Sequence, residues 1–108
     1  MKIAILYCRK ASNVCTGAAC LKAFNHDLAS FAQYANNRPE LAAFCDCGGC
    51  DIDRVHDAGQ CEKMERLVSE GVEKVHVGIC VGQKCPHREE ILAQLGQYHL
   101  PYEFGTHN

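Results

Sequence analysis

Val72-Glu73-Lys74-Val75-His76-Val77-Gly78-Ile79-Cys80-Val81 is the stretch that decides the fold. Its apolar residues are nearly continuous, broken at Gly78, and segments of helical period flank it on both sides. A strand of this kind is covered on both faces, as in parallel sheets. On its amino side, Asp57 is placed to cap a helix from Ala58 to Glu70, and Gly71 is the expected stop. Cys61, Met64, Leu67 and Val68 share one face of that helix. On its carboxyl side, Gly82 to Pro86 is a loop. His87 to Tyr98 then reads as a helix with Ile91, Leu92, Leu95 and Tyr98 inward. Leu100 to Phe104 is a short last strand.

Towards the amino terminus, Leu41 to Cys45 is another apolar run. Before it, Leu21, Phe24, Leu28 and Phe31 recur at spacings of 3, 4 and 3, the face of a helix from about Gly17 to Tyr34. Thr16 is the expected N-cap, and Asn36-Asn37-Arg38-Pro39 ends the helix. Lys2 to Tyr7 is the opening strand, followed by a loop from Cys8 to Thr16. The order β-α-β-α-β-α-β predicts a single α/β domain spanning residues 1–108. It is expected to be a doubly wound parallel sheet of about four strands, with helices on both faces and the flavodoxin-like order 2-1-3-4.

Composition narrows the function. Nine of 108 residues are cysteine, 9/108 or about 8%, enough to suggest either a disulfide scaffold or a metal protein. The opening apolar run is shorter than the roughly 7–15 residues of a signal peptide. No stretch approaches the roughly 20 apolar residues of a membrane span. A cytoplasmic chain with reduced thiols and no membrane association is therefore expected. With 11 Lys+Arg against 13 Asp+Glu, no basic footprint for nucleic acid is present.

The positions of the cysteines carry the most information. Cys8 follows the first strand, and Cys15 and Cys20 open the first helix. Cys45, Cys47 and Cys50 end the second strand, Cys80 and Cys85 the third, and His107 follows the fourth. In a parallel sheet all of these lie at the carboxyl edge, where open α/β folds bind ligands. Only Cys61 falls elsewhere, on the apolar face of its helix. Clustered thiolates are soft ligands for zinc, copper(I) and iron–sulfur clusters. The expected metal ligands are Cys8, Cys15, Cys20, Cys47, Cys50, Cys80, Cys85 and His107. Gly48 and Gly49 would let the Cys47-x-x-Cys50 thiolates point at one metal and offer backbone N–H groups to sulfur. A free redox pair at Cys47 and Cys50 is the alternative use of that motif. Cys45 could share the face of Cys47. Arg9, Lys84, Asp46, Asp51, Asp53 and His87 read as solvated residues flanking the rim.

This ordered set resembles the CGGC-domain family of small prokaryotic proteins. The resemblance rests on Cys47-Gly48-Gly49-Cys50, the first strand ending in Cys8, Cys15-Thr16-Gly17-Ala18-Ala19-Cys20-Leu21-Lys22-Ala23-Phe24, the Cys85-Pro86 turn and the closing Gly105-Thr106-His107. It runs along essentially the whole chain and implies metal binding without a common reaction. Cys45 and Cys61 stand outside the family pattern. Asp51-Ile52-Asp53 follows Cys50 where the family often continues Pro-Gly.

About seven rim thiols exceed what one four-coordinate zinc can use. A polynuclear centre is expected, an iron–sulfur cluster in preference to zinc, serving electron transfer, metal handling or redox sensing with a redox or metal-delivery protein as partner. A thiol oxidoreductase using the CGGC pair and a zinc-stabilised interaction module are the competing expectations.

Overall fold

The computed structural model describes residues 1–107. Its strands are β1 (Lys2–Tyr7), β2 (Glu40–Asp46), β3 (Val72–Val77) and β4 (Tyr102–Phe104). The helices are α1 (Ala18–Asn25), α2 (Ala58–Glu70), α3 (Ile79–Gly82) and α4 (Arg88–Gln97), with 3-10 turns at Ala11–Asn13 and Ala29–Tyr34. The strands form one all-parallel sheet of order β2-β1-β3-β4. This is the α/β architecture and strand order that the alternation predicts.

The central strand β1 shows why both faces must be covered. Side chains alternate across a strand. Ile3 and Ile5 pack with Cys20, Ala23, Phe31 and Tyr34 on one face. Ala4 and Leu6 pack with Met64, Leu67, Val75, Val77, Ile91 and Leu95 on the other. Asp57 caps α2 by accepting from the Gln60 N–H at 2.9 Å, and Gly71 ends it in the left-handed conformation.

Three expectations are corrected. The helix expected from about Gly17 to Tyr34 stops at Asn25 and resumes as a 3-10 turn. Arg38 is the cause: its guanidinium bonds the Phe24 and Asn25 carbonyls and lies 5.3 Å above the Phe24 ring. Asp27 and Ala29 then turn through positive φ. Leu21 and Leu28 consequently face solvent, while Cys20 and Ala23 are buried. Thr16 is not the N-cap; that position is Gly17, although Thr16 Oγ1 accepts from the Ala18 N–H at 3.3 Å. The third strand ends at Val77, and Gly78 turns the chain into the short α3, which places Cys80 on a helical turn rather than in the sheet.

On the α2 face, Val68 is exposed and Gln60 takes a buried place instead. Cys61 is half-buried, its thiol 3.3 Å from the Val55 carbonyl, and so it covers the loop before α2 rather than the core. Among the described residues, no helix is long and apolar enough to cross a membrane.

His76 shows what burial does to an ionisable side chain. It is fully buried against Phe31, with Nδ1 2.9 Å from Ser30 Oγ and Nε2 2.7 Å from Tyr34 OH. Desolvation lowers its pKa to about 4, with Glu103 opposing and Lys74 adding to the shift. Between pH 6.5 and about 4 the unfolded chain binds this proton and the folded chain does not. Stability is therefore lost as the pH drops through that window, by about 1.4 kcal/mol per unit and about 3 kcal/mol in all. NMR titration is expected to find the His76 ring neutral at about pH 5.5; a midpoint near that of a free histidine, about 6.5, would contradict its burial.

Candidate metal centre

All nine cysteines are free thiols. Cys20 and Cys47 are buried, Cys15 and Cys50 are exposed, and the other five are half-buried. The sheet order reverses between β1 and β3, and the carboxyl ends of these strands meet there. Cys8 follows β1 and Cys80 follows β3, and the Cys8 N–H donates to Cys80 Sγ at 3.2 Å. That is the ligand-binding switch point of open α/β sheets.

A cavity of about 320 Å³ opens at this point. Cys8, Cys15, Cys20, Cys80 and His107 line it, together with Lys84 and the apolar side chains of Tyr7, Phe44 and Ile79. Gly17 shapes the wall: its φ is +79°, and a Cβ there would lie 2.9 Å from Phe44 Cζ. Phe44 in turn packs on Tyr7 with ring centroids 5.0 Å apart. Cys20 Sγ lies 3.4 Å from Thr106 Oγ1 and 3.6 Å from His107 Nδ1, so the carboxyl-terminal tail closes one side.

The remaining rim thiols form a second group. Cys47, Cys50 and Cys85 lie outside the cavity wall, near enough that Cys47 and Cys50 help to raise the Cys85 pKa. Cys8, Cys80 and Cys85 all pack against the apolar cluster that contains Cys47, so the two groups adjoin. Cys45 also lies outside the cavity wall, packed against the same apolar cluster as Cys85. It faces a groove of about 490 Å³ between β2 and α2, lined also by Glu62, Lys63 and Arg66. Burial pushes its thiol up to about 11 despite Lys63, with Asp46 and Cys47 adding to the rise.

Four sulfurs accept backbone N–H groups: Cys80 from Cys8, Cys47 from Arg9 at 3.5 Å, Cys15 from Gly17 at 3.4 Å and Cys85 from His87 at 3.3 Å. Such donors favour the thiolate form. Burial opposes them at Cys80 and Cys85, and it also acts on Cys20. Desolvation raises the Cys20 pKa against the Thr106 bond, with Cys15 adding to the rise. The Cys80 thiol is likewise raised by burial and by Cys8 and Cys20. Burial also raises Cys85 against the His87 N–H. A bound cation would remove the repulsion among neighbouring sulfurs.

The donor set fits a soft metal: four thiols and an imidazole line the cavity and, among the described residues, no carboxylate does. The side chains are not drawn around a single ion. Among the described residues, no three Cys, His, Asp or Glu side chains are placed to hold one. Binding would therefore require thiol side chains to rotate inward from the cavity wall.

A family model for the CGGC domain matches residues 2–107. The chain belongs to the CGGC-domain family. That family is one of cysteine-rich domains to which metal binding is ascribed. No curated protein and no solved structure matches the chain.

Several residues read as solvated have defined roles at this CGGC domain's turn. Asp46 accepts from the Gly48 N–H at 2.7 Å, Lys63 Nζ at 2.9 Å and Arg9 Nε at 3.3 Å. Burial alone would raise its carboxyl, but these partners outweigh burial and hold it below the ordinary carboxylate range. Arg54, Gln60 and Gln94 also support the rim, and no pattern in the sequence singled them out; Thr106, from the closing Gly105-Thr106-His107, meets Cys20 Sγ. His87 faces Glu90 at 3.2 Å. Asp53 pairs with His56 at 2.7 Å on the surface.

Burial orders the reactivity of the thiols. In reduced, metal-free protein, timed alkylation with mass mapping is expected to label Cys15 and Cys50 first and Cys20 and Cys47 last. Equal rates at all nine would contradict this packing. Gly48 has φ +96°, and a Cβ there would collide with Gln60 Oε1. Gly48→Ala is expected to cost about 1–3 kcal/mol in urea unfolding, and an unchanged midpoint would contradict the turn geometry.

Proposed function

We propose that this protein holds a soft, polynuclear metal centre at the carboxyl edge of its sheet. The supporting observation is the cavity at the β1/β3 switch point, whose wall carries Cys8, Cys15, Cys20, Cys80 and His107 and, among the described residues, no carboxylate. Calcium and magnesium take oxygen ligands, so a wall of sulfur and imidazole disfavours both. With Cys47, Cys50 and Cys85 alongside, the rim supplies seven thiols, more than one tetrahedral ion uses. An iron–sulfur cluster is the favoured occupant and a multi-zinc centre the alternative. Such a centre would supply one-electron chemistry as iron–sulfur or a structural anchor as zinc.

The chain's own residues have separable tasks in this reading. Backbone N–H groups of Cys8, Arg9, Gly17 and His87 stabilise charge on sulfur. Tyr7 and Phe44 supply an apolar, aromatic part of the cavity wall. Cys15 lies beside Val14, which is 90% exposed, and this loop is where a redox or metal-delivery protein would approach. Nine free thiols suit a reducing compartment, and the cytoplasm is the proposed location.

A thiol oxidoreductase is the second reading. It is favoured by the asymmetry of the CGGC pair: Cys50 is exposed, while Cys47 is 2% exposed. An exposed attacking thiol with a buried partner is the arrangement that disulfide exchange uses.

Metal, inorganic sulfide and the visible spectrum of anaerobically purified protein separate these readings. Bound iron with sulfide, or more than one zinc per chain, is expected. Cys8→Ser/Cys80→Ser and Cys47→Ser/Cys50→Ser should each lose most of the metal, and Cys61→Ser should lose none. Metal-free protein would overturn the metal reading, and a Cys50 alkylated well ahead of the equally exposed Cys15 would then favour the oxidoreductase. Equal metal loss in Cys61→Ser would also overturn the metal reading.

A further inference from the structure

Arg54 lies on the connection between Cys50 and α2 and is only 5% exposed. Its Nη2 donates to the carbonyls of Cys47 and Gly49. Nη1 reaches Glu90 Oε2 at 3.5 Å, and the buried Nε has no acceptor among the described residues. The Arg54 carbonyl accepts from Gln94 Nε2 at 2.7 Å, and Gln94 Oε1 accepts from Gln60 Nε2 at 3.0 Å. Gln60 and Gln94 are themselves buried, and Gln60 comes up against Gly48. The CGGC turn is thus held from beneath by a buried polar web.

Such a web is a costly way to fill space. Burying a guanidinium and leaving one N–H without an acceptor costs free energy, and apolar side chains fill the same volume more favourably. What the web accomplishes is geometric. All peptide bonds are trans, so turning the Cys47 and Gly49 carbonyls towards Arg54 directs the Gly48 and Cys50 N–H groups the other way. The Gly48 N–H duly meets Asp46 Oδ1 at 2.7 Å.

The contacts also extend to another thiol. Glu90 Oε2 lies 3.2 Å from His87 Nδ1, and the His87 N–H donates to Cys85 Sγ at 3.3 Å. A continuous polar line therefore runs from the CGGC carbonyls through Arg54, Glu90 and His87 to Cys85.

We infer that Arg54 is a positioning residue that fixes the CGGC turn relative to the Cys85 turn, making Cys47, Cys50 and Cys85 a second soft-metal subsite beside the switch-point cavity. This rests on the metal reading proposed above. The hydrogen bonds of Arg54 go to carbonyl and carboxylate oxygens, so it acts on the thiols through the backbone and Glu90. Nη2 holds the two carbonyls while Nη1 reaches Glu90, and a lysine's single ammonium does not reproduce that spread over two nitrogens.

The test is anaerobic titration of reduced, metal-free full-length protein with cadmium(II). Thiolate-to-cadmium absorption reports affinity and sulfurs per metal. In the wild type, two groups of sites are expected. Arg54→Gln should weaken one group about ten- to a hundredfold and leave the other unchanged. Arg54→Lys should not restore it. In a Cys47→Ser/Cys50→Ser background the Arg54→Gln effect should vanish, which a merely structural role would not produce. Glu90 is exposed at the surface, and Glu90→Gln should weaken the same group by a smaller factor. If Arg54→Gln does not fold, Glu90→Gln decides through the same comparison. Wild-type affinity in both variants would overturn the inference, as would an Arg54→Gln loss that persists without Cys47 and Cys50. A wild type that takes up no cadmium would instead sink the metal reading itself.

Discussion

Everything in this molecule depends on β1 pairing in parallel with β2 on one side and β3 on the other. Parallel pairing sends every strand out at the same edge, and the chain returns only through crossovers on the two faces. At the β1/β3 boundary the crossovers depart to opposite sides, and a gap opens between the strand ends. The Cys8 N–H donating to Cys80 Sγ spans that gap. The thiol cavity is therefore a consequence of topology first and of side-chain choice second. A sheet with one antiparallel strand would send one of these cysteines to the far edge.

The second consequence is electrostatic. Thiols gathered at one edge either repel as thiolates or remain protonated. Burial pushes Cys20, Cys80 and Cys85 towards the protonated form, while backbone N–H groups at Cys80 and Cys85 pull the other way. Cys47 is packed into the apolar core and still accepts the Arg9 N–H. The rim is thus balanced between core packing and ligation, and a soft cation tips that balance towards thiolate. Cys45 and Cys61 do not line the cavity: Cys45 faces a groove and Cys61 a loop carbonyl.

The sequence makes legible whatever follows from strand order. Period and punctuation give the four strands, the Asp57 cap, the Gly71 stop and the placing of eight cysteines at one edge. Period does not reveal the break in the first helix, because Arg38 ends α1 from thirteen or more residues away by taking its last carbonyls. The division of the rim thiols into two groups was also hidden, since it depends on the paths of the loops around Gly17 and Gly48. Arg54 was invisible for a stronger reason: its partners at the CGGC turn are backbone carbonyls, which carry no side-chain signature. A charged residue in a loop reads as solvated unless something shows what its loop folds over.

The central claim is that sulfur at this rim is a ligand set, and metal-edge X-ray absorption on anaerobically purified protein tests it most directly. A first shell dominated by sulfur is expected, three or four per metal, at about 2.3 Å for zinc or a comparable distance for iron. A shell made only of oxygen and nitrogen, or no metal to measure, would contradict the account.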